Sequence, residues 1–158
     1  MKILISFMFF LFLLPSPAFA GVFSRASAAT GVPVKLLKSV AYVESGFKPY
    51  ALDISGAPYF AKNYAAAYYI ARHFINEGYS VDVGLMQVNY NIWAKRIGVS
   101  LRQLLVPRNN AMVGAYILGR YIAKRNNVLS GVGEYHSGNP YFARIYENKV
   151  LAVYEAFK

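Results

Sequence analysis

Apolar residues recur at helical spacing along most of the chain after residue 20. In the first such segment Leu37, Ala41 and Glu44 fall on one stripe, with Pro33 before it and Gly46 after it. Proline suits the start of a helix because its missing N–H has no partner there in any case, and glycine suits the end because it adopts the left-handed conformation. The pattern predicts a helix between these two residues, with a carboxyl on its apolar side.

Further segments show the same periodicity. They predict helices, long and short, over 61–77, 91–97, 101–106 and 108–125, and from Pro140 onward, where Asn139 is the cap. Alternating patterns typical of strands are scarce, although the loop 49–59 has room for a short β-hairpin. The helical periodicity predicts a mainly α fold class. Because no internal repeat or linker follows residue 20, we expect a single domain.

The first 20 residues differ in composition from the rest. Lys2 precedes an apolar run, 3–14, and Ala18-Phe19-Ala20 follows as a small-x-small cleavage site. These are the parts of a secretory signal peptide, and the run is shorter than the roughly 20 residues that a spanning helix needs. We expect residues 1–20 to be a signal peptide, residues 21–158 to be the mature domain, and no stable membrane span after cleavage.

The charge and the missing cysteines narrow the function classes. The chain has 17 Lys and Arg against 7 Asp and Glu, a formal charge of +10, with no cysteine and two histidines. It therefore lacks disulfides, thiolate nucleophiles and multi-histidine metal sites, and we expect no metal and no cofactor. An exported chain without cysteine indicates a bacterial periplasm or exterior. The positive charge suits a polyanionic partner such as an acidic cell-wall polymer, and export argues against nucleic acid.

Glu44 is the most informative single residue. It lies seven positions after Leu37, so the helix turns it toward the core. Apolar surroundings disfavour the ionised carboxyl and raise its pKa, as a general acid requires near neutral pH. A glutamate in the last turn of a helix can also snorkel or pair with a nearby lysine such as Lys48.

Four segments occur in an order that carries a family resemblance. They are VESGFKPYA at 43–51, SVDVGLMQVN at 80–89, PRNNAMVGAYIL at 107–118 and GEYHSGNP at 133–140. Together they resemble the soluble lytic transglycosylase family, which has a Glu-Ser pair at a helix end, a Gly-Leu-Met-Gln box, an Asn-containing helix and a Tyr-Asn-x-Gly turn. The resemblance covers the chain from about Thr30 and implies the lysozyme-like fold of goose-type lysozymes and transglycosylases. The spacer 54–79 and the motifs at either side look most like transglycosylases of type IV secretion and conjugation systems.

The resemblance implies both an activity and a site. Glu44 protonates the bond between N-acetylmuramic acid and N-acetylglucosamine and then, once ionised, takes the proton of the C6 hydroxyl, which closes a 1,6-anhydro ring without water. The implied substrate-binding residues are Ser45, Met86, Gln87, Asn89, Tyr135 and His136. The implied partners are peptidoglycan glycan strands and components of a secretion or conjugation system.

The six substrate-binding residues are expected to differ in role. Gln87 and Asn89 hold sugar hydroxyls or acetamides, and Tyr135 reaches its hydroxyl toward the catalytic carboxyl. Three alternatives stay open at this point. Met86 is an apolar wall or a core residue, Ser45 orients the glutamate or finishes its helix, and His136 contacts substrate or is structural.

Some positions depart from the family pattern. His136 stands where the family has asparagine, Ile117 fills the position of a family tyrosine while Tyr116 precedes it, and Asp53 replaces a serine. These departures put the roles of His136, Tyr116 and Asp53 in question. Asp82 is expected to be a loop or cap residue before the Gly84 turn.

Two other functions compete with the transglycosylase. One is a hydrolytic lysozyme on the same fold, in which Asp53 or Asp82 is the second carboxylate that most glycosidases use. The other is a wall-binding adaptor without catalysis. A cationic membrane-active protein is not favoured, because no predicted helix concentrates the positive charge on one face.

Overall fold

Helices and a small sheet alternate along residues 17–157, which the computed structural model describes, with side chains from residue 21. The helices are α1 (Pro17–Thr30), α2 (Val34–Ser45), α3 (Tyr64–Asn76), α4 (Leu101–Leu104), α5 (Pro107–Arg125), α6 (Val128–His136) and α7 (Pro140–Ala156). The strands are β1 (Ala51–Ile54), β2 (Ala57–Phe60), β3 (Val81–Val83) and β4 (Val88–Asn89), and Tyr90–Ala94 forms a π-helical turn. Residues 1–16 of the predicted signal peptide lie outside the described residues.

The four antiparallel strands form one sheet in the order β2, β1, β3, β4. The hairpin predicted in the loop 49–59 is confirmed as β1 and β2. The continuation into β3 and β4 was not predicted, because strands of three and two residues contain too few positions to show an alternation. The register pairs Asp53 with Asp82 and Asp82 with Asn89, so three polar residues form a row across the sheet.

The mainly α fold class is confirmed, and α2, α3, α5 and α7 lie where periodicity placed them. Helix α6 was missed. Its Gly131 and Gly133 weaken a helical pattern, but Gly131 lies so close to α5 that an added Cβ would be 2.5 Å from the Ile122 backbone. Gly131 therefore permits the close packing of α5 and α6, and Gly133 lies against the Glu147 side chain of α7. Helix α1 was also missed, although its Phe23 is fully buried.

Helix α5 lies at the centre of the packing. It contacts α1, α4, α6 and β4, and its buried face adds Ala111, Ala115 and Leu118 to the core. Helix α7 packs on both α2 and α6. This arrangement brings the C-terminal end of α2 beside the sheet and α7. Within residues 17–157, every helix falls short of the length or the hydropathy that a membrane crossing requires.

Candidate active site

Glu44 lies in the last turn of α2, at the bottom of an open groove. The helix ends at Gly46, whose φ of 59° is left-handed and whose N–H donates to the Tyr42 carbonyl. On the same helix Val40 and Ala41 are fully buried, whereas Glu44 is half-buried. The helix therefore anchors its apolar side in the core and presents the carboxyl to the groove.

The groove has two arms that share Glu44, Asp82, Gln87 and His136. The Phe60 arm, about 390 Å³, is also lined by residues that include Asp53, Phe60, Phe142, Tyr146 and Lys149. The Trp93 arm, about 250 Å³, is also lined by residues that include Asn89, Trp93, Tyr121 and Tyr135. An extended ligand that fills both arms would pass Glu44 near its middle.

A larger cavity of about 570 Å³ lies elsewhere, between α1, α2, α5, α6 and α7. Its lining is almost wholly apolar, with Leu36, Ile122 and Val150 among its residues, and contains no carboxyl. Its described lining residues also include no imidazole, so they lack the side chains that most often act as general acids and bases. The groove at Glu44 is therefore the candidate active site.

The Glu44 carboxyl is tuned for proton transfer near neutral pH. Its pKa is raised from the ordinary 4.5 to about 7, chiefly by burial, and the charges of Asp82 and Asp53 contribute to the same rise. The hydroxyl of Tyr146 opposes these effects by donating to Glu44 Oε1 at 2.5 Å, since this bond favours the ionised form. A carboxyl with a pKa near the working pH can both donate and accept a proton.

The sequence reasoning missed Tyr146 and gave its role to Tyr135. Tyr135 lines the Trp93 arm, but its hydroxyl donates to the Met86 carbonyl at 2.7 Å and not to the Glu44 carboxyl. Tyr146 is 3% exposed, and the ring of His136 stacks on it with centroids 4.5 Å apart and planes 4° from parallel. His136 therefore supports the hydroxyl that holds Glu44, while one face of the groove remains lined by its ring.

The Gly-Leu-Met-Gln loop, residues 84–87, is a scaffold more than a sugar-binding surface. Met86 is fully buried, so the core alternative holds for its side chain and the wall against the sugar was wrong. Ser45 is also buried. Its hydroxyl donates a hydrogen bond that is shared by two carbonyls, that of Leu85 at 2.8 Å and that of Ala41 at 3.1 Å. It finishes α2 and ties that helix to the loop. A direct substrate contact by Ser45 or Met86 is incompatible with this burial.

Asn110 on α5 is the centre of that scaffold, and the sequence reasoning assigned it no role. Its Nδ2 donates to the carbonyls of Val83 and Leu104 at 2.7 and 3.2 Å, and its Oδ1 accepts from the Met86 N–H at 2.9 Å. Gly84 has a φ of 79°, and a Cβ there would collide with the Asn110 amide. The signal available in the sequence was an asparagine on the apolar side of a helix, which must find buried partners.

Gln87 and Asn89 lie at the groove, where the sequence predicted them. Gln87 lines both arms, and its Nε2 donates to the carbonyls of Gly84 and Ala51 at 2.8 and 3.1 Å. Asn89 lines the Trp93 arm and donates to Asp82 Oδ1 at 2.7 Å. Their contacts with a substrate remain predictions.

The positions that depart from the family pattern differ in whether they line the groove. Asp53 lines the Phe60 arm, and its Oδ1 accepts from the Gly56 N–H at 2.6 Å in the hairpin turn. Tyr116 is exposed outside the groove and accepts from Arg120, whereas Ile117 lines the Trp93 arm. Asp82 is not a loop or cap residue, because it lies in β3 and lines both arms.

The groove also contains ionic groups away from Glu44. Glu134 lines the Trp93 arm and pairs with Lys124 and Arg125, and the Lys124 hydrogen bond is the largest cause that lowers its pKa. No set of three histidine, aspartate or glutamate side chains within residues 17–157 is grouped closely enough to hold a metal ion. The functional groups that line the groove are carboxyls, amides, hydroxyls, aromatic rings and the Lys149 amine.

Comparison with known proteins agrees with this geometry. A family model described as Transglycosylase SLT domain matches residues 21–150, a range that contains both arms of the groove and the loop 84–87. A search of curated proteins and a search of solved structures each returned no match.

Proposed function

The chain belongs to the transglycosylase SLT domain family, whose members are lysozyme-like lytic transglycosylases of peptidoglycan, and on that premise we propose a specific reaction. The protein cleaves the β-1,4 bond between N-acetylmuramic acid and N-acetylglucosamine and leaves a 1,6-anhydro end. The observation that carries the proposal is Glu44, a half-buried carboxyl with a pKa of about 7 where the two arms of the groove meet.

The first step breaks the glycosidic bond. Glu44 gives its proton to the oxygen that joins C1 of N-acetylmuramic acid to C4 of N-acetylglucosamine. The C1–O bond breaks, its electron pair stays with that oxygen, and an oxocarbenium-like sugar and an ionised Glu44 remain. A pKa raised by burial keeps the proton available for this step at neutral pH.

The second step closes the ring without water. The C6 hydroxyl oxygen of the same sugar bonds to C1, and its proton passes to the Glu44 carboxylate, which returns to its starting state. Between the two steps Glu44 carries a charge in a desolvated site. The Tyr146 hydroxyl, at 2.5 Å from Oε1, stabilises that charge.

The shape of the groove supports a polymeric substrate. The arms extend from Glu44 in two directions, so sugars can lie on both sides of the reacting bond. The Phe60 arm includes Phe60 and Phe142, which are 56% and 53% exposed, and the Trp93 arm includes Trp93 and Tyr121. Exposed rings of this kind offer flat apolar surfaces to sugar faces, while the polar groups fix orientation.

A hydrolytic reaction is the second candidate, and Asp82 favours it. Hydrolases with this chemistry use a second carboxyl to activate water or to act as nucleophile. Asp82 lies in the floor of the groove and lines both arms with Glu44. Hydrolysis would leave reducing ends that are heavier by one water than anhydro ends.

The cellular setting is part of the same proposal. The protein acts in the periplasm or outside a bacterial cell, where it opens the wall locally for a secretion or conjugation apparatus. The export signal predicted at residues 1–20, the charge of +10 and the resemblance around the spacer 54–79 support this setting.

The test is digestion of purified peptidoglycan by the wild type and by Glu44→Gln, with mass spectrometry of the released fragments. The wild type is expected to release anhydro ends, and Glu44→Gln is expected to release none while it still folds and binds the wall. Glu155→Gln, an exposed carboxyl at the end of α7, is the matched control and should behave as wild type. Release by Glu44→Gln at the wild-type rate would contradict the proposal, as would a wild type that binds the wall and releases nothing, which is the adaptor.

A further inference from the structure

Asp82 occupies the floor of the groove but has no part in the two steps described above. In β3 its neighbours Val81 and Val83 are fully buried. Because side chains alternate along a strand, Asp82 points to the opposite face, which borders the groove. It lines both arms, as Glu44 does.

The position of Asp82 in the sheet destabilises the folded state. Asp53 is its direct cross-strand neighbour on β1, and Asn89 is its neighbour on β4. Like charges directly opposite each other in antiparallel strands are destabilising. The fold gains no ion pair at this position to offset that repulsion, since the three salt bridges found among the described residues involve Glu134 and Glu147. An arrangement of this kind in a cleft points to a role in the reaction.

Asn89 fixes the orientation of the Asp82 carboxyl. Its Nδ2 lies 2.7 Å from both Asp82 Oδ1 and Ser80 Oγ, and its Oδ1 accepts from the Ile92 N–H at 2.9 Å. Asp53 is used differently, because its Oδ1 accepts from the Gly56 N–H in the hairpin turn. Asp82 is therefore the carboxyl of this row that is both oriented by a side chain and adjacent to both arms.

The order of ionisation follows from the surroundings. The pKa of Asp82 is raised to about 6, chiefly by burial; the hydrogen bond from Asn89 acts against this rise and the charge of Asp53 contributes to it. The pKa of Glu44 is about 7, so Asp82 ionises first as the pH rises. The other titratable groups that border this part of the groove are Asp53 on β1, Tyr121 on α5, Glu134, Tyr135 and His136 on α6, and Tyr146 and Lys149 on α7. Glu134 is held by Lys124 and Arg125, which leaves Asp82 as the larger negative influence on Glu44.

We propose that Asp82 is a positioning residue of this reaction: its carboxylate, oriented by Asn89, keeps the proton on Glu44 until the glycosidic oxygen takes it. Asp82 forms no bond to the sugar and activates no water. The inference rests on the proposed function, because it assigns Asp82 a part in the first proton transfer of that reaction.

The test is the pH dependence of kcat/KM for Asp82→Asn. Asparagine keeps the shape of the side chain and can still accept from Asn89, but it has no charge. At pH 5 wild-type Asp82 is already mostly protonated, so the two proteins should react at equal rates. At pH 8 the variant should be slower by about threefold or more, because the loss of a like charge lowers the pKa of Glu44 and moves the basic limb down by about half a pH unit. Glu155→Gln, remote from the groove, should match wild type at both values.

Product analysis separates the possible failures. One outcome is that both proteins release anhydro ends while their profiles of kcat/KM against pH coincide or differ by the same factor at every pH. That result would overturn the role of Asp82 and leave the proposed function intact. Reducing ends from the wild type, with Asp82→Asn inactive throughout, would make Asp82 a water-activating base and overturn both.

Discussion

Replacing Glu44 by glutamine is expected to stabilise the folded protein at alkaline pH, because the folded state disfavours the charge of this carboxyl. The pKa rises from the ordinary 4.5 to about 7 on folding. A tenfold change in an ionisation constant corresponds to about 1.4 kcal/mol, so the ionised carboxyl destabilises the folded state by roughly 3 kcal/mol. Glutamine keeps an oxygen that accepts from Tyr146 and removes the charge.

The sign of this effect depends on pH. Below about pH 4.5 the carboxyl is protonated in both states and no penalty exists. Between about pH 4.5 and 7 the unfolded chain releases the proton while the folded chain retains it, so stability falls as the pH rises. Glu44→Gln should therefore be close to wild type at pH 4 and more stable by about 3 kcal/mol at pH 8.

Urea unfolding at the two pH values measures this difference. The single tryptophan, Trp93, lies in the groove and reports the transition by its fluorescence. The slope of unfolding free energy against urea should be the same for both proteins, since their buried surfaces match. Equal effects of Glu44→Gln at pH 4 and pH 8 would refute the reasoning, because they would show that the charge meets no penalty on folding.

Three further substitutions test the surroundings of Glu44. Tyr146→Phe removes a hydrogen bond to a charged group, worth about 1.5–3 kcal/mol. The kcat should therefore fall about 10- to 100-fold, and the pKa of Glu44 in the pH profile of the reaction should rise. An unchanged kcat would exclude the role given to this hydroxyl. Asn110→Ala leaves the buried Met86 N–H unpaired and should lower the free energy of unfolding by at least about 2 kcal/mol, as measured in urea; a smaller loss would count against the scaffold. Gly114→Ala places a Cβ 2.6 Å from the Met86 sulfur and should cost about 1–3 kcal/mol by the same measurement, whereas neutral behaviour would show that the site can relax.

The parts of the fold with strong local signals were predictable. The long helices α2, α5 and α7 follow from periodicity, and the left-handed end of α2 at Gly46 follows from the glycine. Helix α6 was not predictable. Glycine has a low helix propensity, and the reason for Gly131 is its close packing against α5, which the local sequence does not show. Strands β3 and β4 are too short to show a pattern.

The candidate site was predictable only where one residue's own position carries the signal. Glu44 stands out because a carboxyl falls on an apolar stripe. Which of 14 tyrosines donates to it could not be read, because Tyr146 lies 102 positions away and reaches Glu44 through the packing of α7 on α2. Met86 and Ser45 lie in recognisable motifs, yet a motif does not show whether its residues face a substrate or the core, and these two face the core.

The source of the oxygen atoms in the product tests the central claim most directly. If Glu44 takes the proton of the sugar's own C6 hydroxyl and that oxygen bonds to C1, no water enters the product. Digestion of peptidoglycan in water enriched in oxygen-18 should then give fragments with anhydro ends and no added label. Fragments with reducing ends that each carry one labelled oxygen would contradict the account, because they would show that water and not the C6 hydroxyl attacks C1.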